Sequence, residues 1–339
     1  MERKRPTSKP VTAQTAQEVV NTIRKEHGND TAMLLGDNKL SIDIKGVCST
    51  QSLALDKAIG RNGVPYGRLT LLAGPEGGGK TTVALHLCAE CQRTNGIVLY
   101  IDAEYKLDPG YAQKIGVNIQ DMIISQPLHL EQALGIIMST VKRISAMRKE
   151  QKIDIPILVV LDSMTACPAK CEIEGELGDK HYAPQANVMS SGLKHIIRDV
   201  SSERVALVFI SQLREKIGVM FGNKDDTTCG KAPRFYASLG INIKRKGALA
   251  NNDKAHVCEG YVWKNQIAVP FKKGEFVIEF GKGIDIIHEI VALGVEAKII
   301  EQSGAWYSFQ GERIGQGLEN AKEYLKEHKD IADKIRRML

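Results

Sequence analysis

Residues 68–82 read Arg68-Leu-Thr-Leu-Leu-Ala-Gly74-Pro75-Glu76-Gly77-Gly78-Gly79-Lys80-Thr81-Thr82, and this stretch decides the fold. Leu69 to Ala73 has the near-continuous apolar character of a buried strand. The run stops at Gly74, where Gly74-x-x-x-x-Gly79-Lys80-Thr81 begins, the spacing of a phosphate-binding loop. Glycine at 74, 77, 78 and 79 lets successive backbone N–H groups turn inward without Cβ clashes, forming a nest for a polyanion. From Thr81 the sequence turns helical, so a helix N-terminus and its partial positive charge lie under the phosphates. Lys80 then reaches the β- and γ-phosphates, and the Thr81 hydroxyl coordinates Mg²⁺. Residues Gly74 to Thr82 are therefore read as the binding loop for a nucleoside triphosphate.

Working outward, apolar strands alternate with helical stretches. A strand at Ile97–Ile101 ends in Asp102-Ala-Glu104, one at Ile157–Leu161 in Asp162-Ser163, and one at Val205–Ile210 in Ser211-Gln212. Periodic helices over 130–149 and 186–201 fall between them. The pattern predicts a parallel sheet with helices on both faces and polar chemistry at the strands' carboxyl ends. Asp162 suits a second Mg²⁺ contact, held through water. Glu104 is either the base that deprotonates an attacking water or an ordinary surface glutamate. Gln212 carries an amide suited to sensing a γ-phosphate, and it opens an irregular segment. Tyr111, just after Asp108-Pro109-Gly110, either stacks on adenine or packs.

Before the loop, 13–27 is an amphipathic helix stopped by Gly28, whose apolar face needs a partner, in its own core or on a neighbouring subunit. Segments 172–184 and 213–231 lack sustained periodicity. Loops of that length are usually functional or disordered; the second is either a nucleic-acid contact or an ATPase lid. Strands over 238–246 and 261–266 extend the sheet, and from 284 a small α+β unit follows, with one terminal helix from 318 whose charges pair at i, i+4. The organisation expected is an arm and docking helix (1–45), an α/β ATPase core (46–283) and a small C-terminal domain (284–339).

Composition excludes several classes. With 43% hydrophobic and 25% charged residues the chain is ordinary for a soluble globular protein, and 339 residues suffice for a large core with satellites. No apolar stretch reaches the length of a membrane span, and no secretory signal begins the chain. Seven cysteines without framework spacing fit reduced, core-packed thiols of a cytoplasmic protein better than a zinc site. The net charge of +6 permits a polyanionic partner.

Several motifs together carry a family. Gly74–Thr81, Ile101-Asp-Ala-Glu104, Leu107-Asp-Pro109, Asp162-Ser163, residues 172–179 (Glu-Ile-Glu-Gly-Glu-Leu-Gly-Asp), Ile217-Gly218-Val219-Met-Phe221-Gly222 and Gly304-Ala-Trp-Tyr-Ser308 resemble the bacterial RecA recombinase family from about residue 15 to the end. The resemblance implies a RecA-type P-loop ATPase core and an ATP-bound helical filament, a homo-oligomer on single-stranded DNA that performs homologous pairing and strand exchange, with Mg²⁺ as cofactor. It implies that Glu104 is catalytic, that Gln212 couples the γ-phosphate to DNA, that Asp108 and Tyr111 border the nucleotide, and that Lys264, Arg234 and Phe235 face the neighbouring protomer. It makes 174–184 and 213–231 the two DNA loops. The DNA set comprises Tyr182, Ser190, Lys194, Arg214, Lys216, Ile217, Gly218, Val219, Phe221, Thr228, Cys229, Gly230 and Lys231. Lys244 and Arg245 form a secondary site for double-stranded DNA, and single-strand-binding and loading proteins are possible partners.

The chain also departs from the family's pattern. Gln266 stands where a second interface lysine is usual, which points to weaker ATP-gated assembly or reliance on Lys264 alone. Cys229 replaces a glycine at a position where positive φ is expected, and Lys231 an asparagine. Pro184, Gln185 and Asn187 alter the first loop, an arginine being usual at 187. Glu259 and Tyr261 replace basic residues of the secondary site. The end, Arg336-Arg337-Met-Leu339, lacks the family's acidic tail, which should favour access of DNA. Beside the recombinase reading stand a nucleotide-switched scaffold that turns over poorly and a ring-forming helicase-like motor. A small-molecule kinase is disfavoured, because no acceptor pocket is legible.

Overall fold

The structure is a computed structural model that describes residues 13–29, 31–34, 44–151, 154–175, 183–212, 214–215, 225–226, 229–249 and 252–339. It divides into two units, residues 1–43 and 44–339. The first holds helix α1 (Ala13–His27), closed as expected by Gly28, whose N–H donates to the Arg24 carbonyl oxygen at 2.9 Å.

In the second unit one mixed sheet runs through nine strands: β1 (Arg68–Gly74), β2 (Ile97–Asp102), β3 (Met122–Ser125), β4 (Ile157–Asp162), β5 (Val205–Gln212), β6 (Leu239–Leu249), β7 (Asn252–Asn265), β8 (Lys273–Glu279) and β9 (Gly283–Ile284). Their order is β9-β8-β7-β6-β1-β5-β4-β2-β3. From β6 to β3 every neighbour is parallel; β7, β8 and β9 add an antiparallel wing. Helices α2 (Leu53–Ile59), α3 (Lys80–Arg93), α4 (Pro109–Ile115), α5 (Leu130–Gln151), α6 (Lys170–Glu174), α7 (Pro184–Ser201) and α8 (Ala232–Tyr236) connect them.

The central strands are apolar at consecutive positions because both faces are covered. Alternate residues Leu72, Val98, Tyr100, Val160 and Ile210 join the cluster under α3, while Leu71, Leu99, Ile101, Val159 and Phe209 join the one under α5 and α7. Each cluster holds many fully buried side chains, and each large one contributes about 1.5–3 kcal/mol of burial.

A third cluster lies near the C-terminus, where α9 (Ile286–Glu296), α10 (Leu318–Glu327) and α11 (Lys329–Met338) pack with a small sheet of β10 (Ile300–Ser303), β11 (Trp306–Phe309) and β12 (Glu312–Gln316). The single terminal helix expected from 318 is corrected to two. It breaks at His328, whose ring stacks on Tyr324 at 4.0 Å between centroids and donates from Nδ1 to the Tyr324 carbonyl oxygen at 2.8 Å. The break interrupts the expected i, i+4 ladder: Lys326 pairs with Glu323 and Lys322 with Asp285 and Glu319.

One buried carboxylate ties α9 to α2. The Ser52 hydroxyl and the Ala54 N–H both donate to Glu289 Oε2, at 3.1 and 3.2 Å, while Oε1 has no partner. Burial pushes the Glu289 carboxyl up to about 8. A carboxyl raised in the folded state stabilises the fold at low pH and loses that contribution as pH rises through the folded value. The thermal midpoint should therefore fall as pH is raised from about 5 to about 9, and Glu289→Gln should flatten that dependence; identical slopes in a thermal-melt series would reject it.

Candidate functional site

The site is assembled where four parallel strands end. Register sets Gly74 beside Gln212 and Asp102 beside Asp162, so the strand ends lie level and present their next residues to one edge. Between β1 and α3 the loop turns on glycine for a steric reason. Gly74 has φ +151°, and a Cβ there would sit 2.0 Å from the Ile243 carbonyl oxygen; one at Gly78 would meet the same atom at 2.8 Å. Lys80 is buried, and its ammonium donates to the carbonyl oxygens of Gly74 and Pro75 at 3.0 and 2.6 Å. Burial lowers its pKa, while Asp162, Glu104 and Glu76 act to raise it. Its charge is thus held against the loop, where a polyanion would take up its N–H bonds.

Around this cation lie three carboxylates. Asp162, 9% exposed, accepts from the hydroxyls of Thr81 and Tyr100 on one oxygen, at 2.8 and 2.7 Å. Burial raises its pKa, the two hydroxyls oppose that, and the charges of Glu104 and Asp102 add to the rise. Asp102 is spent on structure, accepting from the Lys106 and Leu107 N–H groups and the Gln126 amide. Glu104 accepts from Ser163 Oγ at 2.6 Å and Gln212 Nε2 at 2.8 Å on Oε1, and from Lys106 Nζ at 3.2 Å on Oε2. Partial burial works against its charge, yet these donors hold its carboxyl below the ordinary value. Glu104, Gln212, Lys80, Thr81 and Asp162 together line one cleft of about 200 Å³. An adjacent hydroxyl and carboxylate of net negative surroundings form a donor pair that fits a hard divalent cation. Among the described residues no group of three or more His, Cys, Asp or Glu could hold a metal, so phosphate and water would complete such a site.

A second cleft of about 300 Å³ shares the same loop, residues 77–82, and is completed by Tyr111, His256, Ile278, Phe280 and Gly281. Tyr111 is fixed by a hydrogen bond between its hydroxyl and that of Thr82 at 2.9 Å. Asp108 caps α4, accepting from the N–H groups of Gly110 and Tyr111. Sequence reading assigned no role to Tyr100, Ser163, His256 or Phe280: Tyr100 and His256 lie inside strands, Ser163 directly after β4 and Phe280 directly after β8, and only the fold brings them to the site.

The residues assigned to DNA and to the protomer interface fare differently. Tyr182, Lys216, Ile217, Gly218, Val219, Phe221 and Thr228 lie outside the described residues, and of Arg214 only the backbone is described, in a short ladder with Asp226. Ser190 and Lys194 lie on α7, Lys194 exposed. Cys229 is corrected: it is fully buried, its thiol donates to the Met164 carbonyl oxygen at 3.1 Å, and it does not take positive φ. The left-handed residue is its neighbour Gly230, at φ +71°. Lys231 precedes α8 and is exposed. Lys264 donates to the carbonyl oxygens of Arg234 and Phe235 in its own chain, at 2.8 and 2.9 Å, while Phe235 is 75% exposed. Gln266 is exposed. At the candidate secondary site Glu259 is buried between lysines, 3.3 Å from Lys244, 3.3 Å from Lys273 and 3.8 Å from Lys246. Arg245 lies over the Phe280 ring at 5.7 Å.

Comparison with known proteins accounts for nearly the whole chain. Residues 14–285 match the family described as RecA N-terminal domain, and residues 288–339 match RecA C-terminal domain. The chain is 44% identical over 319 residues to Protein RecA of Thioalkalivibrio sulfidiphilus, covering 94% of this chain and 90% of that one. It is 43% identical over 334 residues to Protein RecA of Bordetella pertussis, covering 97% and 92%. Against Protein RecA of Rickettsia canadensis identity is 46% over 321 residues, covering 94% and 90%.

The loop geometry gives a direct test. Gly74→Ala places a methyl group against the Ile243 backbone, which cannot rotate away, and should destabilise the second unit by about 1–3 kcal/mol or more. Chemical denaturation with a midpoint equal to the wild type's would mean that β1 and β6 do not meet this closely.

Proposed function

The chain belongs to the RecA family of DNA-dependent ATP hydrolases that act as recombinases in repair, and we propose that the two clefts flanking residues 74–82 form its ATP site. In this reading Lys80 and the loop N–H groups hold the phosphates, and Thr81 and Asp162 hold Mg²⁺, which neutralises charge on the β- and γ-phosphates. Glu104 takes the proton of the attacking water, and its depressed pKa keeps it an acceptor at neutral pH. Lys264, with Arg234 and Phe235, serves the neighbouring protomer's nucleotide in a helical filament, and α1 docks on that neighbour. The candidate domain division at 284, cytoplasmic residence, and single- and double-stranded DNA as primary and secondary ligands belong to the same reading. Among the described residues no helix is long and apolar enough to cross a membrane.

One observation carries the coupling of ATP to DNA. The Gln212 amide donates to Glu104 at 2.8 Å, and Gln212 is the last residue of β5, directly before segment 213–231. A γ-phosphate competing for that amide would draw Gln212 from Glu104 and pull on the loop behind it. The exposed Gln266 sustains the scaffold as a second reading, in which the filament forms but turns over slowly.

The test is the ATPase rate against single-stranded DNA concentration, with Lys80→Ala as the binding control. Stimulation by DNA that disappears in Lys80→Ala supports the recombinase, and DNA binding that needs ATP but brings little turnover supports the scaffold. Glu104→Gln should lower turnover about 10²-fold or more while ATP-dependent DNA binding persists; an unchanged rate removes Glu104 from the role.

The buried Glu259 yields a further expectation. Burial opposes its charge, but Lys244 and Lys273 hold its carboxyl below the ordinary value, so their ammonium charges are engaged internally. Glu259→Gln should free them for phosphates and steepen the salt dependence of duplex binding by about two phosphate contacts, a slope change near −1.8. Identical slopes in a salt titration would separate this wing from the DNA.

A further inference from the structure

The donors on Glu104 divide unequally between its two oxygens. Oε1 accepts from Ser163 Oγ and Gln212 Nε2, which fill its lone pairs, while Oε2 accepts from Lys106 Nζ alone among the described residues, at 3.2 Å. The oxygen with room for a water's proton is therefore the one that Lys106 covers. The turn that delivers Lys106 is unusual. Tyr105 takes φ +56°, a left-handed conformation unfavourable for a residue with a Cβ. The Asp102 carboxylate holds that turn by accepting from the Lys106 and Leu107 N–H groups, at 3.2 Å each, and the Tyr105 hydroxyl donates to the Pro127 carbonyl oxygen at 3.3 Å.

The two lysines lining the first cleft are in different states. Lys80 is buried, with its ammonium committed to the Gly74 and Pro75 carbonyl oxygens. Lys106 lies at the rim with 69% of its side chain exposed, and it also lines an adjoining cleft of about 340 Å³ beside Thr165 and Gln212. Its flexible four-carbon stem lets the ammonium change partners. Glu104, and more weakly Glu76 and Asp162, raise its pKa, so it stays charged. Glu76, Asp102, Glu104 and Asp162 all line the first cleft, so a triphosphate entering it needs every cation within reach. A terminal phosphate offers three acceptor oxygens and about two negative charges, against the single charge of a carboxylate. We propose that Lys106 is a further catalytic residue, releasing Glu104 Oε2 for the γ-phosphate of bound ATP. The exchange uncovers the base for the attacking water and places a second cation of the same protomer on the transferred group. Gln212 leaves Oε1 for the same phosphate, and Ser163 keeps the carboxylate in place. The proposal rests on the reading of residues 74–82 as the ATP loop with the γ-phosphate in the first cleft.

Steady-state ATPase assays of the full chain on single-stranded DNA, with calorimetric titration by ADP and by the slowly hydrolysed analogue ATPγS, test it. Lys106→Met keeps the length of the side chain without its charge. It should lower kcat about 10²-fold, the lower end for removing one group that stabilises developing charge, and change KM far less. ATPγS binding should weaken about three- to tenfold while ADP binding holds. Lys106→Arg, which keeps the charge, should recover most of kcat. The loss of ATPγS relative to ADP should persist in a Glu104→Gln background, because the phosphate contact does not pass through Glu104. A kcat at or above the wild type's in Lys106→Met overturns the proposal, since the lysine then only restrains the base. Equal losses for ADP and ATPγS, or an ATPγS loss that disappears with Glu104→Gln, overturn it as well. A wild-type chain that binds neither ADP nor ATPγS instead removes the ATP reading beneath it.

Discussion

The site depends on one backbone contact, the seating of the phosphate loop on the Ile243 carbonyl oxygen. Both Gly74 and Gly78 approach that atom so closely that no side chain fits, so the loop's path is fixed by the neighbouring strand as much as by its own turns. β1 and β6 are parallel and paired from Leu239–Thr70 to Asn242–Ala73, and Ile243 is the next residue up. The glycines therefore serve two purposes. They open the nest for phosphate, and they let the loop lie flat on a strand that continues into Lys244 and Arg245. β6 therefore meets the loop without an intervening side chain.

Charge organises the rest. Lys80 is the buried cation, and Asp162, Glu104 and Asp102 surround it unequally. Asp102 is consumed by two backbone N–H groups and an amide, which leaves it no chemical role and makes it a brace for the turn at 105–107. Asp162 is desolvated and penalised in its charged form, the state of a group that gains from a nearby cation. Glu104 has enough donors to remain charged without one. Two carboxylates lining the same cleft are thus driven in opposite directions by their surroundings.

Much of this was legible in the residues. The glycine spacing, Lys80 and Thr81, and the apolar strands ending in Asp162, Glu104 and Gln212 placed the site at one sheet edge before any coordinates. What escaped reading did so for physical reasons. β7 was expected only from 261, because Asp253, Lys254 and His256 dilute the strand signal in its first half; it forms there by pairing with β6 and β8. Ser163 has no sequence mark as a partner of Glu104, since the two are far apart in the chain and meet only through the Asp102–Asp162 register. Cys229 looked strained because a glycine is usual there. The strain falls on Gly230 instead, and the thiol fills a buried space under Met164. Lys244 and Arg245 were expected to form a secondary DNA site and Glu259 to stand in place of a basic residue; only the fold puts Glu259 between Lys244 and Lys273.

These departures bear on how nucleotide and DNA communicate. Two routes leave the loop: β5 through Gln212 into segment 213–231, and β6 through Ile243 into the antiparallel wing. On the first, the Gln212 amide donates to Glu104 at 2.8 Å. The second has been rebuilt. A buried glutamate holds three lysines within 4 Å, and Arg245 leans over Phe280, whose ring also rests against His256 in the second cleft. The second cleft and the antiparallel wing therefore share an aromatic ring, while Glu104 and the strand that leads into segment 213–231 share an amide.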